Sequence, residues 1–89
     1  MKVHTSKHFQ KDFKACPVEI QRKAKAVYES LADCKKLADI PHLEKLVEKN
    51  RNYFRVRISS YRLGFELKEG GEIELLALMH RKEIYRFFP

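Results

Sequence analysis

Three features of the sequence predict an α+β fold, with an N-terminal strand and a helical hairpin packed on one face of an antiparallel β-sheet. Apolar residues recur at helical spacing between Phe9 and Leu31, and they alternate with polar ones from Tyr53 onward. Two turn-forming sites, Ser59-Ser60 and Glu69-Gly70-Gly71, divide the alternating part into three runs. Helices that precede a meander, instead of alternating with its strands, belong together on one face of it.

The elements follow in order. Residues 2–5 read as a short strand with Val3 and Thr5 on one side. Ser6 can cap a helix whose Phe9 and Phe13 lie four apart on one face. Pro17 interrupts that pattern and suits the first turn of a second helix, where its missing N–H costs nothing. There Ile20, Ala24, Val27, Tyr28 and Leu31 form a stripe to be buried, opposite a Lys, Arg, Gln and Glu surface. The two helices are expected to be antiparallel. Residues 34–50 read as a loop with a short ordered turn, because Pro41 disfavours helix at Ile40.

The meander's register can be argued from its apolar residues. A two-residue turn at Ser59-Ser60 pairs Ile58 with Tyr61, Val56 with Leu63 and Phe54 with Phe65. A three-residue loop over 69–71 pairs Leu67 with Ile73, Phe65 with Leu75 and Leu63 with Ala77, in a third strand spanning 72–80. The shared apolar face is assigned to the helices. On the other face Arg57 stands directly opposite Arg62, and Arg55 lies two residues along. Strand parity puts Leu76, Leu78 and His80 on that outer face as well. Leu76 and Leu78 are either covered by the Phe87-Phe88 tail or part of a groove for a partner.

Composition bounds the partners. The 89 residues allow one domain, 1–89, and 44% apolar residues are too many for a disordered chain. No apolar run approaches the ~18 residues of a membrane span, and the first ten residues are no signal peptide, so a cytoplasmic location is expected. Cys16 and Cys34 lack CxxC spacing and read as reduced, partly buried thiols. The formal charge of +7 is divided by residue type: ten Lys and one Arg up to residue 49, then six Arg and two Lys. Lysines suit a solvated helix surface, whereas arginine's planar fork fits phosphate oxygens. The expected partner is a polyanion.

Like charges directly opposite on a sheet are destabilising, so folding alone does not ask for Arg57 against Arg62. Either a solvated face holds them apart, or pairs them with Glu66 and Glu74, or the platform binds an anion. Arg81 and Tyr85 follow at the end of the last strand, beside His80. Metal-free RNA cleavage needs a base for the 2′-OH, an acid for the departing 5′-oxygen, and cations for the added charge on phosphorus. Arginines supply the cations, and a tyrosine can stack a base. His4 and His8 span a strand–helix boundary without a third ligand nearby, so no metal or other cofactor is expected.

The order of elements, closing on YFRVRISSYRLGFEL and LALMHRKEIYRFFP, resembles the RelE/ParE superfamily of toxins from type II toxin–antitoxin systems. The R-x-R…Y-R-L pattern followed by H-R-K-E-I-Y is similar to the RelE branch, the ribosome-dependent mRNA endoribonucleases (mRNA interferases). The resemblance implies RNA binding by Arg55 and Arg57. It implies phosphate positioning and transition-state stabilisation by Arg62 and Arg81, and substrate orientation by Tyr85, with a share in activating the 2′-OH. It also implies a cognate antitoxin, mRNA in the ribosomal A site as substrate, and operator DNA reached only through the antitoxin complex. The chain departs from the family pattern where lysines stand on the first meander strand, one of them the proposed base. Arginine is always protonated and cannot take that role; the resemblance points to His80 as the substitute candidate, because other branches of the superfamily use a histidine near this end. The tyrosine also follows Arg81 after a shorter gap. The competing readings are a gyrase poison of the ParE branch and a non-catalytic basic module that binds RNA or protein.

Overall fold

The computed structural model of the protein describes residues 1–47 and 51–88. The elements are β1 (Val3–Thr5), α1 (Lys7–Ala15), α2 (Val18–Asp33), a 3-10 turn (Leu37–Asp39), β2 (Leu43–Lys45), β3 (Tyr53–Ile58) and β4 (Tyr61–Leu67). A second 3-10 turn (Glu69–Gly71), β5 (Ile73–His80) and α3 (Arg81–Phe87) complete the chain. The five strands form one mixed sheet in the order β1-β5-β4-β3-β2.

The first helices begin where local chemistry dictates. Ser6 Oγ accepts from the Phe9 N–H at 3.0 Å, satisfying one of the free donors at the start of α1. Pro17 stands just before α2, and its carbonyl accepts the first helical bond, from the Gln21 N–H at 3.0 Å. Phe9, Ile20, Ala24 and Leu31 are buried, Val27 is half-buried, and Tyr28 is 38% exposed at the edge of the predicted stripe. The helices cross the chain from β1 to the far side of the meander, so β1 joins β5 in parallel, with Val3 opposite Ile73. The sheet is therefore mixed and not wholly antiparallel.

The first hairpin has the predicted register: Ile58 faces Tyr61, Val56 faces Leu63, Phe54 faces Phe65, and Arg57 faces Arg62. The Phe54 and Phe65 rings stack with centroids 5.2 Å apart. Gly70 and Gly71 adopt left-handed φ angles of 83° and 80° in the second turn, the conformation for which glycine was expected there. Two elements differ from expectation. The segment expected to be a loop over 34–50 contains the predicted short turn, but also β2, antiparallel to β3 with Leu43 opposite Val56 and Lys45 opposite Phe54. Residues 48–50 of that segment lie outside the described ones. The tail forms α3, which packs on β4 and β5.

The larger difference is a β-bulge. Phe65 faces Leu75 as expected, but Gly64 faces Ala77 and Leu63 faces Leu78, leaving Leu76 as the extra residue. The predicted pairing of Leu63 with Ala77 is corrected by one position. Every residue after Leu76 thereby changes face. Leu78 joins the core beneath α1 and α2, whereas Ala77 joins Ile84, Phe88 and Leu46 in a second cluster on the outer face. The outer face is therefore partly covered: Leu76 packs against the second cluster, and Leu78 does not lie there at all. Gly64 is what lets the cover sit close, because a Cβ there would lie 2.9 Å from the Phe88 ring. Beyond the end of β1, the Leu78 N–H donates to Asp12 Oδ2 of α1 at 3.0 Å, so the strand edge stays satisfied.

Candidate functional site

The part of the outer face that α3 leaves open is a cavity of about 380 Å³ lined by His42, Leu43, Glu44, Arg55, Arg57, Arg62 and Tyr85. Strand alternation on β3 delivers Arg55 and Arg57, the opposite strand delivers Arg62, and β2 delivers Glu44, whose residue faces Arg55. Tyr85 comes from α3. Ile84 beside it is fully buried and anchors that helix, leaving Tyr85 62% exposed.

Each arginine is held differently, which is how three like charges share one cavity. Arg55 forms an ion pair with Glu44 through Nη2, and its guanidinium carbon lies 4.8 Å from the Tyr85 ring centroid. Its Nε is buried and has no hydrogen-bond partner among the described residues. Arg57 Nη2 donates to His42 Nδ1 at 3.1 Å, and the Arg57 N–H donates to the His42 carbonyl at 3.2 Å. Arg62 Nη1 donates to the Ser59 and Tyr61 carbonyls at 3.1 and 2.9 Å, curling back on its own turn. The two glutamates that could have neutralised the cluster are engaged elsewhere: Glu66 with Arg51 at 3.5 Å, Glu74 with Lys68 at 3.0 Å. Among the described lining residues, three guanidinium groups face one carboxylate.

Of the residues singled out in the sequence, Arg55, Arg57, Arg62 and Tyr85 come together and two do not. Arg81 opens α3 and is exposed. Its N–H donates to the Ser60 carbonyl at 2.8 Å, but its side chain does not line the cavity. His80 is displaced to the helix side of the sheet by the bulge, which corrects its expected place on the outer face. It stands opposite Tyr61, which packs on the helix-side core, and their rings meet edge to face at 5.6 Å. Its Nδ1 accepts from the Lys82 N–H at 3.2 Å, so the ring caps α3. Sequence reasoning missed His42 and Glu44. The Pro41-His42 pair marks a turn, but it sets no register for the short strand that follows, so it does not place Glu44 across from Arg55.

Away from the cavity, His4 Nε2 bonds Glu72 Oε1 at 2.6 Å, and this bond holds the Glu72 carboxyl below its ordinary range. His8 Nε2 lies 3.8 Å from Asp12 Oδ2 instead. Among the described residues no helix is long and apolar enough to cross a membrane.

The helical hairpin behind a mixed sheet agrees with the family comparison. Residues 3–85 match the model of the ParE toxin of type II toxin–antitoxin systems, parDE, which makes the chain a toxin of that class. It is 36% identical over 89 residues to Toxin RelE3 of Methanocaldococcus jannaschii, covering 100% of both chains. The toxin fold also matches the RelB–RelE antitoxin–toxin complex from Methanococcus jannaschii, with TM-score 0.79 and 31% identity over 97% of this chain and 99% of that one. A RelE–RelB complex from Pyrococcus horikoshii OT3 shares the fold at TM-score 0.74 and 20% identity, covering 90% and 93% of the two chains. So does a YoeB dimer from Staphylococcus aureus, at TM-score 0.71 and 18% identity over 91% and 97%. The chain belongs to the RelE/ParE superfamily and is RelE-like.

Proposed function

We propose that this toxin is a ribosome-dependent mRNA endoribonuclease that cleaves in the A site by metal-independent attack of the 2′-OH. The observation that carries this reading is the convergence of Arg55, Arg57, Arg62 and Tyr85 on one cavity with a single opposing carboxylate. Cleavage adds negative charge to the phosphate as the 2′-oxygen attacks, and fixed guanidinium groups stabilise that charge without reorganising. Arg57 and Arg62, directly opposite one another, suit the phosphate oxygens. Tyr85, exposed and backed by Arg55, offers a face on which a base can stack. Arg81, outside the cavity lining at the start of α3, would contact phosphate further along the strand.

A cognate antitoxin is the expected regulator, because solved RelE relatives are toxin–antitoxin complexes. An antitoxin covering the cavity would silence it, and operator DNA would be reached only through that complex. The family model bears the ParE name, which favours gyrase inhibition as the second reading. Expression from a tightly repressed promoter discriminates the two. Growth arrest with codon-phased mRNA cuts supports the nuclease; arrest with intact mRNA and trapped gyrase–DNA complexes supports the gyrase poison.

A further inference from the structure

We propose that His42 is the general base of this cavity, kept out of service by Arg57 until a phosphate draws that guanidinium away. The inference rests on the nuclease reading and deepens it. Arginine has no acceptor, so the 3.1 Å contact from Arg57 Nη2 requires that His42 Nδ1 carry a lone pair, with the ring proton on Nε2. A neutral imidazole with its basic nitrogen facing an anion site is the state a proton acceptor needs.

The backbone adds a second observation, a positive φ shared among the described non-glycine residues only with Ser59 in the β3–β4 turn. His42 has φ 61°, a left-handed conformation that residues other than glycine adopt rarely, and its carbonyl is tied to the Arg57 N–H. A glycine would relieve that conformation but would leave the cavity without a ring. Strain held in place at a cavity wall is a common mark of a functional position. The charged and titratable groups around the imidazole are Arg57 and Arg55 from β3, Glu44 from β2, Arg62 from β4 and Tyr85 from α3. None of the others offers a neutral nitrogen base.

In the step that follows, Arg57 leaves His42 to bind a phosphate oxygen. His42 Nδ1 takes the proton of the 2′-OH as the 2′-oxygen bonds to phosphorus. The bond from phosphorus to the 5′-oxygen breaks, leaving a 2′,3′-cyclic phosphate. The departing 5′-oxygen takes a proton from water, and the imidazolium returns its proton to solvent, so water only carries the proton.

The test is single-turnover cleavage of mRNA on programmed ribosomes by wild type, His42→Gly and His42→Asn. Glycine suits the backbone, and asparagine can still accept from Arg57, so both variants should keep ribosome binding within about threefold of wild type. Both should lose cleavage by ~10²–10⁴-fold, and free imidazole should restore part of the His42→Gly rate. A loss below about threefold, or one that imidazole leaves unrepaired in a variant that still binds, overturns the assignment of His42 and leaves the nuclease reading standing. Wild type that binds programmed ribosomes without cutting overturns both.

Discussion

The Arg55 guanidinium carbon lies 4.8 Å above the centroid of the Tyr85 ring, joining the first long strand of the meander to the C-terminal helix. Arg55 is also paired with Glu44, so it links three elements at one wall of the cavity. A cation over an exposed ring contributes ~0.5–1 kcal/mol. Tyr85→Phe keeps the ring and should retain both that contact and base stacking. Tyr85→Ala should lower stability by about that amount and weaken RNA engagement by ~1–3 kcal/mol, a typical cost of losing one stacked base. Chemical denaturation and ribosome binding measured on both variants separate ring from hydroxyl. Equal behaviour of the two would show that the ring itself is unimportant.

Among the described residues, the Arg62 guanidinium reaches only main-chain carbonyls. Arg62→Ala should reduce cleavage by ~10²–10³-fold, the usual loss on removing one donor to a developing oxyanion. Arg62→Lys should recover little, because a single ammonium cannot reproduce the planar fork. Arg81→Ala should cost less than Arg62→Ala, since Arg81 stands outside the cavity. Growth arrest by Arg62→Ala at wild-type strength would refute its assignment to phosphate.

Gly64→Ala places a methyl 2.9 Å from the Phe88 ring, so the ring must shift from its packing on the second cluster to admit it. Overpacking of this kind costs ~1–3 kcal/mol. Phe88→Ala is destabilising alone through the cavity it leaves, yet it removes the clash. The double variant should be more stable than the sum of single losses predicts, and a double-mutant cycle in urea measures that coupling. Strict additivity would mean that ring and glycine do not meet.

The Cys16 thiol is pushed above the ordinary thiol range, first by burial and then by the nearby Asp12 carboxylate. The folded state thus holds this proton more tightly than the unfolded chain does. Its contribution to stability is intact below the ordinary thiol value, ~8.5, and is lost as pH rises through the folded value. Iodoacetamide labelling followed by mass spectrometry should find Cys16 slow to react until pH exceeds that of a model thiol. A Cys16→Ala variant should show a shallower alkaline loss of stability.

How much of this could be read from the chain depends on where polar and apolar residues alternate. YFRVRI and YRLGFEL alternate clearly across a tight turn, and their pairing fixed three of the five expected arginine and tyrosine positions: Arg55, Arg57 and Arg62. The segment LLALM does not alternate, so nothing in it marks the extra residue at Leu76 or the move of His80 to the helix side. The three residues of β2 are too short to show a period of two. The helix α3 shows only a spacing of four between Ile84 and Phe88, which reads equally well as a tail. His42 was hidden for another reason: a left-handed backbone at a residue other than glycine leaves no compositional trace.

The bulge in β5 also has a mechanical meaning. Leu75 and Leu78 grip the helical hairpin, and Leu76 and Ala77 between them grip the C-terminal helix that carries Tyr85. Four consecutive residues act as a rivet through the sheet, fastening both layers at one point. Loosening either layer should therefore loosen the other, so that amides of α1 and of α3 exchange with solvent in a single event. A change as remote from the cavity as Leu78→Ala would then be felt at Tyr85.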